Sequence, residues 1–380
     1  MICYKCMREY SGSYCQHCGF NPETYEPMPT ALMPLTVLRG QYIIGAVLGK
    51  GGFGITYTGY DNLNYRKVAV KEFFPSSVAY RDSNQTTEVS VTANMRQIYE
   101  NGVNKFYNEA LTLSKLQDIP AIVSIYDFFC ENNTAYIVME FIDGTAVDKI
   151  VLNQGSLDVD ITLTIYYPII QALKKVHDAG ILHRDISPSN IMLDERYTAR
   201  LIDFGSSRAY SHEMSTDLTV ILKKGFAPIE QYSRKGKHGP TEDVYAICAS
   251  MYYTMTGKVP PAAPDRRVFD TLQPIHNFMV EIPESIERII MKGLSVQPDD
   301  RYPDMEALSK AIDVAVSGKS EKYTVKPENK KGNYTSKNNK IKDNKLNKHA
   351  DNVVMMPQML ILAASGVLFL ILLLILILIL

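Results

Sequence analysis

The order of periodic segments along the chain restricts the fold more than any other feature of the sequence. Short runs with β-type alternation come first, at residues 42–48, 56–60, 67–71 and 135–141. Longer runs with helical spacing of apolar residues follow, at residues 161–179, 241–256, 282–294 and 305–316. Strands that precede helices in this way indicate an α+β architecture with two lobes.

Composition supports a folded chain and excludes several classes of protein. Hydrophobic residues make up 46% of the 380 residues and charged residues 21%, which is ordinary for a globular protein and excludes a largely disordered chain. The formal net charge of −1 does not indicate a basic nucleic-acid-binding domain, so we expect no nucleic-acid partner. Six cysteines in a chain of this length do not indicate a disulfide framework.

Two Cys-x-x-Cys pairs, Cys3/Cys6 and Cys15/Cys18, lie at the start of the chain with residues 7–14 between them. Tetrahedral Zn²⁺ takes two such pairs, because each pair turns two thiolates toward one ion. A redox pair or free thiols are the alternatives, but a redox pair usually opens a helix in a thioredoxin-like unit, and none surrounds these cysteines. We therefore expect a zinc ribbon at residues 1–20 that folds with structural Zn²⁺ and could dock a protein partner.

The N-terminus has no apolar segment typical of a signal peptide. The composition of two other segments outside the periodic region predicts that they are linkers. Residues 21–41 are rich in proline and favour an extended linker, because proline fixes φ and removes a hydrogen-bond donor. Residues 317–352 are rich in Lys, Asn, Ser and Gly and contain few apolar positions. This composition predicts a disordered, Lys-rich linker, and the apolar segment that follows it makes the linker juxtamembrane.

The last residues of the sequence predict a transmembrane helix at residues 353–380. From residue 359 to residue 380 only Ser365 and Gly366 are less apolar. A helix formed by residues 359–380 would be roughly 33 Å long, enough to span a hydrocarbon core of about 30 Å. Lysines flank the segment on its N-terminal side, and positive flanks stay in the cytoplasm. We therefore expect a single-pass protein of the cell membrane whose folded part faces the cytoplasm.

A glycine-rich sequence, Gly49-Lys-Gly51-Gly-Phe-Gly54, lies between the first two β-type runs. A dinucleotide-binding fold would place a helix after the third glycine, so the β-type run that follows argues against that fold. A glycine-rich hairpin allows backbone amides to close over phosphate groups without obstruction by Cβ atoms. The next β-type run ends at Lys71, which could direct one ammonium group toward a triphosphate.

Two further motifs carry carboxylates. A His-Arg-Asp sequence ends at Asp185 and is followed by Asn190, and an Asp-Phe-Gly sequence begins at Asp203. Two carboxylates and one amide could serve as one base and as ligands for Mg²⁺. Together with the glycine-rich loop and Lys71, in this order, these motifs are similar to those of the eukaryotic-type (Hanks) serine/threonine protein kinases, in particular their bacterial members. The resemblance implies a bilobal protein-kinase fold at residues 42–316, with a small β-rich N-lobe and a larger helical C-lobe.

The resemblance implies a role for each matching residue. Asp185 would orient and deprotonate a substrate hydroxyl, and Asn190 and Asp203 would hold Mg²⁺ or Mn²⁺. Three glycines would cover the phosphates of ATP, two hinge residues would receive adenine through backbone groups, and four side chains would sandwich the ring. These nine positions are Gly49, Gly51, Gly54, Glu140, Ile142, Leu48, Thr56, Ala69 and Met192.

Paired side chains of the family are implied as well. Lys71 would contact the α- and β-phosphates and pair with a carboxylate on the following helix, for which we prefer Glu109 to Glu100. Glu230, at the end of an Ala-Pro-Ile-Glu sequence, would pair with Arg301. Three further residues would be structural, namely Asp243 as a cap for the backbone of the catalytic loop, His177 and His183.

Two positions depart from the family. Most members have Lys two residues after the catalytic Asp, where this chain has Ser187, and Thr at the position of Lys223. We therefore expect Lys223 or its neighbour Lys224 to supply the positive charge that Ser187 lacks, since phosphoryl transfer develops negative charge near a cation. The alternative is that both lysines are solvated charges of a loop. A further expectation is autophosphorylation around residues 215–219.

The sequence thus predicts a membrane-anchored serine/threonine protein kinase that transfers the γ-phosphoryl group of MgATP to protein hydroxyls. The first alternative is a pseudokinase scaffold that acts through the zinc ribbon and the anchor. The unusual Ser187 favours this alternative, whereas the presence of all four catalytic residue types argues against it, at Lys71, Asp185, Asn190 and Asp203. The second is a small-molecule phosphotransferase with the same fold. The Ala-Pro-Ile-Glu sequence and Arg301 favour a protein substrate, because in the family they shape a peptide-binding platform.

Overall fold

The computed structural model of the chain describes residues 1–81, 87–114, 119–203, 222–233 and 238–319. Two separate hydrophobic cores divide these residues into a small β-rich lobe and a larger helical lobe, as the order of periodic segments predicts. Within the described ranges, no helix has both the length and the apolar character needed to cross a bilayer. The predicted tether beyond residue 319, the membrane span and residues 215–219 lie outside those ranges.

The small lobe is an antiparallel sheet covered by one long helix. Its elements are β1 (Val37–Leu38), β2 (Tyr42–Lys50), β3 (Gly54–Asp61), β4 (Arg66–Phe73), β5 (Ala79–Tyr80), β6 (Ser90–Val91), α1 (Arg96–Leu113), β7 (Ile125–Glu131) and β8 (Thr134–Glu140). Six strands form one sheet in the order β1-β2-β3-β4-β8-β7, and α1 contacts β7 and β8. The four predicted β-type runs correspond to β2, β3, β4 and β8, whereas β1, β5, β6 and β7 were not predicted.

The helical lobe contains a small sheet and six α-helices among the described residues. These elements are β9 (Gly144–Ala146), α2 (Val147–Gln154), α3 (Val159–Asp178), β10 (Ile191–Asp194), β11 (Ala199–Leu201), α4 (Thr241–Thr256), α5 (Ala263–Val268), α6 (Glu284–Gly293) and α7 (Met305–Lys319). Ile165, Ile169 and Leu173 recur at helical spacing on α3 and are fully buried, so this face of α3 forms the centre of the core. The Asp158 side chain begins α3 by accepting a hydrogen bond from the Ile161 N–H (2.7 Å).

A buried ion pair joins the segment around Glu230 to the end of the helical lobe. Arg301 donates to both oxygens of Glu230, over 2.7 Å and 3.0 Å. Its guanidinium also donates to the backbone carbonyls of Thr241, Ser295 and Val296. All of these contacts depend on the planar geometry of one guanidinium group. The main effect of the pair is therefore to fix the position of Glu230, and its contribution to the free energy of unfolding is smaller.

The N-terminal cysteine segment consists of two similar turns. Met7 N–H donates to the Cys3 carbonyl over 2.9 Å, and Gly19 N–H donates to the Cys15 carbonyl over 2.8 Å. Met7 and Gly19 each follow the second cysteine of a pair, and both have positive φ, +59° and +69°. The chain therefore turns in the same way after each Cys-x-x-Cys pair.

This cysteine segment packs against strand β2. The Tyr4 carbonyl accepts hydrogen bonds from the Ala46 N–H (2.6 Å) and the Thr58 hydroxyl (3.0 Å). The pairing of β2 with β3 shifts register between Ile44 and Val47, so the cysteine segment pairs the Ala46 amide at this irregularity. A Cβ atom on Gly45 would lie 2.3 Å from the Tyr4 oxygen, and only glycine permits this approach.

Residues from the predicted Pro-rich linker also contact the small lobe. Leu32 is buried, and its N–H donates to the Tyr57 hydroxyl over 3.1 Å. That hydroxyl donates to the buried Glu72 carboxylate (2.7 Å), which also pairs with Arg81. Arg81 in turn donates to the Thr30 carbonyl. One buried polar network thus ties the segment before β1 to strands β3 and β4.

Candidate active site

One buried carboxylate holds the loop that contains Asp185. Asp243 lies in the first turn of α4, and its two oxygens accept hydrogen bonds from the N–H groups of His183 (2.9 Å) and Arg184 (2.8 Å). The ring of His177, near the end of α3, bonds to the same carboxylate over 2.8 Å. Arg184 has a φ of +63°, which non-glycine residues seldom adopt, so the loop depends on these contacts for its shape.

The Asp243 carboxylate stays charged in its buried position. Burial would raise the pKa of this carboxyl group, but the contacts with His177 and His183 hold the pKa below its ordinary value of 3.8. On the other side of the loop, Gln231 donates to the Arg184 carbonyl over 3.2 Å. Sequence reasoning missed Gln231, and its position directly after the Ala-Pro-Ile-Glu sequence is the signal that could have found it.

Asn190 orients the Asp185 carboxylate. Its amide nitrogen donates to the Asp185 backbone carbonyl (2.8 Å) and to Asp185 Oδ2 (3.1 Å). The backbone carbonyl of Asn190 accepts a hydrogen bond from Ile202 (2.9 Å), which anchors the residue beside β10 and β11. Because the amide nitrogen is directed at Asp185, the amide oxygen is the atom of this side chain that could bind a cation.

Lys71 and Asp203 form an ion pair between the two lobes. Lys71 Nζ on β4 lies 3.0 Å from Oδ1 of Asp203, which follows β11 and has a φ of +58°. Burial would lower the pKa of the Lys71 ammonium group, but Asp203, then Glu109 and Asp185, raise the pKa above 10.5. Burial would raise the pKa of Asp203, but Lys71 and Lys223 hold it below 3.8. Both groups are therefore charged near neutral pH.

Helix α1 presents Glu109, and not Glu100, toward Lys71. Glu109 is half-buried and its charge contributes to the raised pKa of Lys71, whereas Glu100 is exposed. The two residues are nine positions apart, which at about 100° per residue places them on opposite faces of the helix. The helix can therefore direct only one of the two toward Lys71, and the structure shows that this residue is Glu109.

The glycine-rich sequence forms the turn between β2 and β3. The Gly51 N–H donates to the Gly54 carbonyl over 2.9 Å. A Cβ atom on Gly54 would lie 2.6 Å from the backbone oxygen of Glu72, so the close approach of β4 requires glycine there. A Cβ atom on Gly49 would meet no heavy atom within 4 Å, so packing does not require glycine at that position. The open space beside Gly49 leaves room for a ligand to approach the backbone.

Comparison with known proteins identifies this arrangement. The family model for the protein kinase domain matches residues 42–311. This chain belongs to the protein kinase family. The chain is 29% identical to serine/threonine-protein kinase PrkC of Bacillus subtilis, over 71% of its own length and 40% of that protein. It is 30% identical to the probable serine/threonine-protein kinase SCO3848 of Streptomyces coelicolor, over 74% and 41%. The chain thus spans about two fifths of the length of these relatives.

Solved structures agree with the family. The structure described as PpkA-294 apo form matches with a TM-score of 0.67 and 30% identity, over 74% of this kinase and 99% of that chain. The crystal structure of Rad53 1-466 in complex with AMP-PNP matches with a TM-score of 0.53 over 70% and 64%, and at 22% identity it supports the fold alone. The bilobal kinase fold and the resemblance to bacterial serine/threonine kinases are therefore confirmed.

Three of the predicted nucleotide-binding side chains lie on the strands around the glycine-rich turn. Thr56 on β3 is opposite Gly49 on β2 and opposite Lys71 on β4. Leu48, one residue before Gly49, is 50% exposed, which is high for leucine in a strand next to a core. Ala69 is two residues before Lys71 on β4, and its side chain points to the same face of the sheet as Lys71.

The remaining predicted positions are at the connection between the lobes. Glu140 ends β8, and its N–H already donates to the Ser124 carbonyl over 2.9 Å. Ile142 is half-buried in the connection from β8 to β9. Met192 on β10 is half-buried opposite Ala146 on β9. The fold thus brings the hinge residues and Met192 to the start of the helical lobe.

We expect Asp243→Asn to lower the free energy of unfolding by about 2–3 kcal/mol, because an amide cannot accept from every donor that the buried carboxylate serves. Since folding lowers the pKa of Asp243, its contribution is complete above the ordinary pKa and is lost as the pH falls through the folded value. The difference between the two proteins should persist down to pH 5 and narrow below about pH 4.

Urea unfolding of wild type and variant across this pH range measures the difference. Glu284→Gln is the matched control, since the Glu284 side chain is 81% exposed and its pair with Arg288 should contribute little. Equal losses of stability in both variants would contradict the assigned role of Asp243.

Proposed function

We propose that this kinase transfers the γ-phosphoryl group of MgATP to serine or threonine hydroxyls of proteins. The observation that carries the proposal is the convergence of Lys71, Asp185, Asn190 and Asp203, which come from both lobes and lie around one site. Both curated relatives described above are named as serine/threonine-protein kinases, which favours this acceptor class.

The residues at the site fit a metal-bound nucleotide. Lys71 would bind the α- and β-phosphates, and its raised pKa keeps the ammonium group charged for this purpose. The Asn190 amide oxygen and the Asp203 carboxylate are hard oxygen ligands of the kind that Mg²⁺ prefers. The bound metal would neutralise charge that develops on the phosphate oxygens.

Asp185 would act on the acceptor hydroxyl. Its carboxylate is held by Asn190 and is partly exposed, with 21% of the side chain accessible, so a substrate hydroxyl could reach it. The carboxylate would orient the hydroxyl and accept its proton as the new bond to phosphorus forms. Catalysis would therefore consist mainly of positioning and charge stabilisation.

Incorporation of radiolabel from [γ-³²P]ATP tests the proposed activity. We expect wild type to label itself and dephosphorylated casein, and Asp185→Asn to lower the rate about 10²- to 10⁴-fold because the variant lacks the base. Asp178→Asn, an exposed change at the end of α3, should retain the wild-type rate. A wild type that binds MgATP in calorimetry but transfers no label would favour the pseudokinase scaffold.

We also propose that the N-terminal cysteines bind one structural Zn²⁺. Cys3 Sγ and Cys18 Sγ are 3.6 Å apart, as are Cys6 Sγ and Cys15 Sγ, and all four sulfur atoms lie within 4.8 Å of one another. A tetrahedron with metal–sulfur bonds of about 2.3 Å has edges of about 3.8 Å, so the cluster fits Zn²⁺. The two similar turns after the cysteine pairs support the same assignment.

Metal analysis of the purified protein should find one zinc per chain, and Cys3→Ser should lose it, because a three-thiolate site binds zinc more weakly. Since metal binding and folding of such a ribbon are coupled, zinc removal should also free the Ala46 amide and accelerate its hydrogen exchange. Cys130→Ser is the control, since Cys130 is exposed and lies outside the cluster. Metal-free wild type with a protected Ala46 amide would contradict the zinc assignment.

We further propose a membrane anchor at residues 353–380, on the basis of the apolar sequence from residue 359 to residue 380. Full-length protein expressed in a bacterium should stay in the membrane fraction after a carbonate wash. A chain that ends at residue 319 should be recovered in the supernatant. Recovery of both proteins in the same fraction would contradict the anchor, and protease access from the cytoplasmic side tests the orientation.

A further inference from the structure

Lys223 enters the catalytic loop from a different segment of the chain. Its ammonium nitrogen lies 2.9 Å from Ser187 Oγ, 3.1 Å from Ser189 Oγ and 3.3 Å from Asp185 Oδ2. The neighbouring Lys224 is exposed, and no ion pair with Asp185 is recorded for it among the described residues. The structure therefore separates the two lysines that the sequence left equivalent.

The backbone at Lys223 is fixed by a tight turn. Its carbonyl accepts hydrogen bonds from the N–H groups of Phe226 and Ala227, both over 3.0 Å. Gly225 lies inside this turn with a φ of +86°, and a Cβ atom there would lie 2.5 Å from the Pro260 carbonyl oxygen. The turn precedes Glu230, which the buried Arg301 holds in place. A rigid framework thus presents the Lys223 side chain to the catalytic loop.

The charges around the site indicate what the Lys223 ammonium group could do. Lys71 neutralises Asp203 on the small-lobe side of the site, over 3.0 Å. On the other side, Ser187 is buried and contributes only a hydroxyl, where most family members have an ammonium group. Lys223 supplies a positive charge beside Asp185, and 34% of its side chain is accessible, so a ligand can reach it. Among the described residues, Lys71 therefore pairs with Asp203 and Lys223 pairs with Asp185.

We propose that Lys223 is a catalytic residue of this kinase, which binds the phosphoryl group in transit and replaces the lysine that the catalytic loop lacks. The bond between the γ-phosphorus and its bridging oxygen breaks, a bond to the acceptor oxygen forms, and the acceptor proton moves to Asp185. Lys223 keeps its protons throughout and stabilises negative charge on the phosphoryl oxygens. This inference rests on the proposed kinase activity and adds a residue to it.

The transfer assay with matched variants tests the inference. Lys223→Met keeps a long side chain and removes the charge, and we expect kcat to fall about 10²- to 10³-fold, as on loss of one preorganised donor. The KM for ATP should change by less than about threefold, because the nucleotide itself is held mainly by Lys71 and the glycine-rich turn. Lys224→Met makes the same change one residue away and should retain the wild-type kcat.

A charge exchange distinguishes catalysis from a structural role. Lys223→Ser should lose activity, and adding Ser187→Lys to it should restore at least about tenfold in kcat, because the ammonium group returns to the same place from the loop. A Lys223→Met protein with wild-type kcat would overturn the inference, and so would a double variant that folds but shows no recovery. Circular dichroism and MgATP calorimetry establish that each variant is folded and binds nucleotide.

The same assay separates the inference from the proposed function. Wild type that labels neither itself nor casein faster than Asp185→Asn does refutes the kinase activity and the role of Lys223 together. Active wild type with an equally active Lys223→Met refutes only the role of Lys223. A salt titration of wild type and Lys223→Met adds a further readout. If Lys223 were only an exposed loop charge, its loss would change the salt dependence of the KM for casein and leave kcat unchanged.

Discussion

The contact between Asp243 and the catalytic loop is the constraint on which the active site depends. A single buried carboxylate on α4 accepts from two consecutive backbone amides, and one of these belongs to Arg184 in a left-handed conformation. This conformation directs the next residue, Asp185, toward Asn190. The loop has little secondary structure of its own, so its shape comes from a helix that lies about 60 residues further along the chain.

The charged groups of the site are paired across elements that are distant in sequence. Lys71 and Asp203 join the two lobes, while Lys223 and Asp185 join the segment before Glu230 to the catalytic loop. Because each ammonium group lies beside a carboxylate, its charge is compensated without a ligand, and the site still presents cations to phosphate oxygens. Movement of either segment would separate a pair, so the geometry of the site depends on the position of both.

The small lobe extends beyond the protein kinase domain toward the N-terminus. The cysteine segment pairs with the backbone of β2 just before the glycine-rich turn, and Gly45 provides the space for this contact. Residues 30 to 32 join the same lobe through Tyr57, Glu72 and Arg81. The integrity of the cysteine segment should therefore influence the strand that leads into the nucleotide site.

The sequence by itself determined the lobe order and the residue types at the site. It also determined the positions of strands β2, β3, β4 and β8 and of helices α3, α4, α6 and α7. These features follow from local periodicity and from short motifs, in which neighbouring residues carry the information. Helical geometry also shows that Glu109 and Glu100 cannot both face Lys71, because nine residues rotate a side chain to the opposite face. Strand β7 was missed, since its residues lack clear alternation, and strands β1, β5 and β6 were missed because two residues are too few to show a period.

Only the tertiary structure decided which lysine enters the catalytic loop and how the N-terminal segment is placed. Lys223 and Lys224 have the same charge and adjacent positions, and the turn around Gly225 alone orients one of them toward Asp185. The role of Gln231 and the contact of Tyr4 with Ala46 likewise depend on pairs far apart in sequence. Such contacts are set by how packed elements meet, and no local pattern encodes that arrangement.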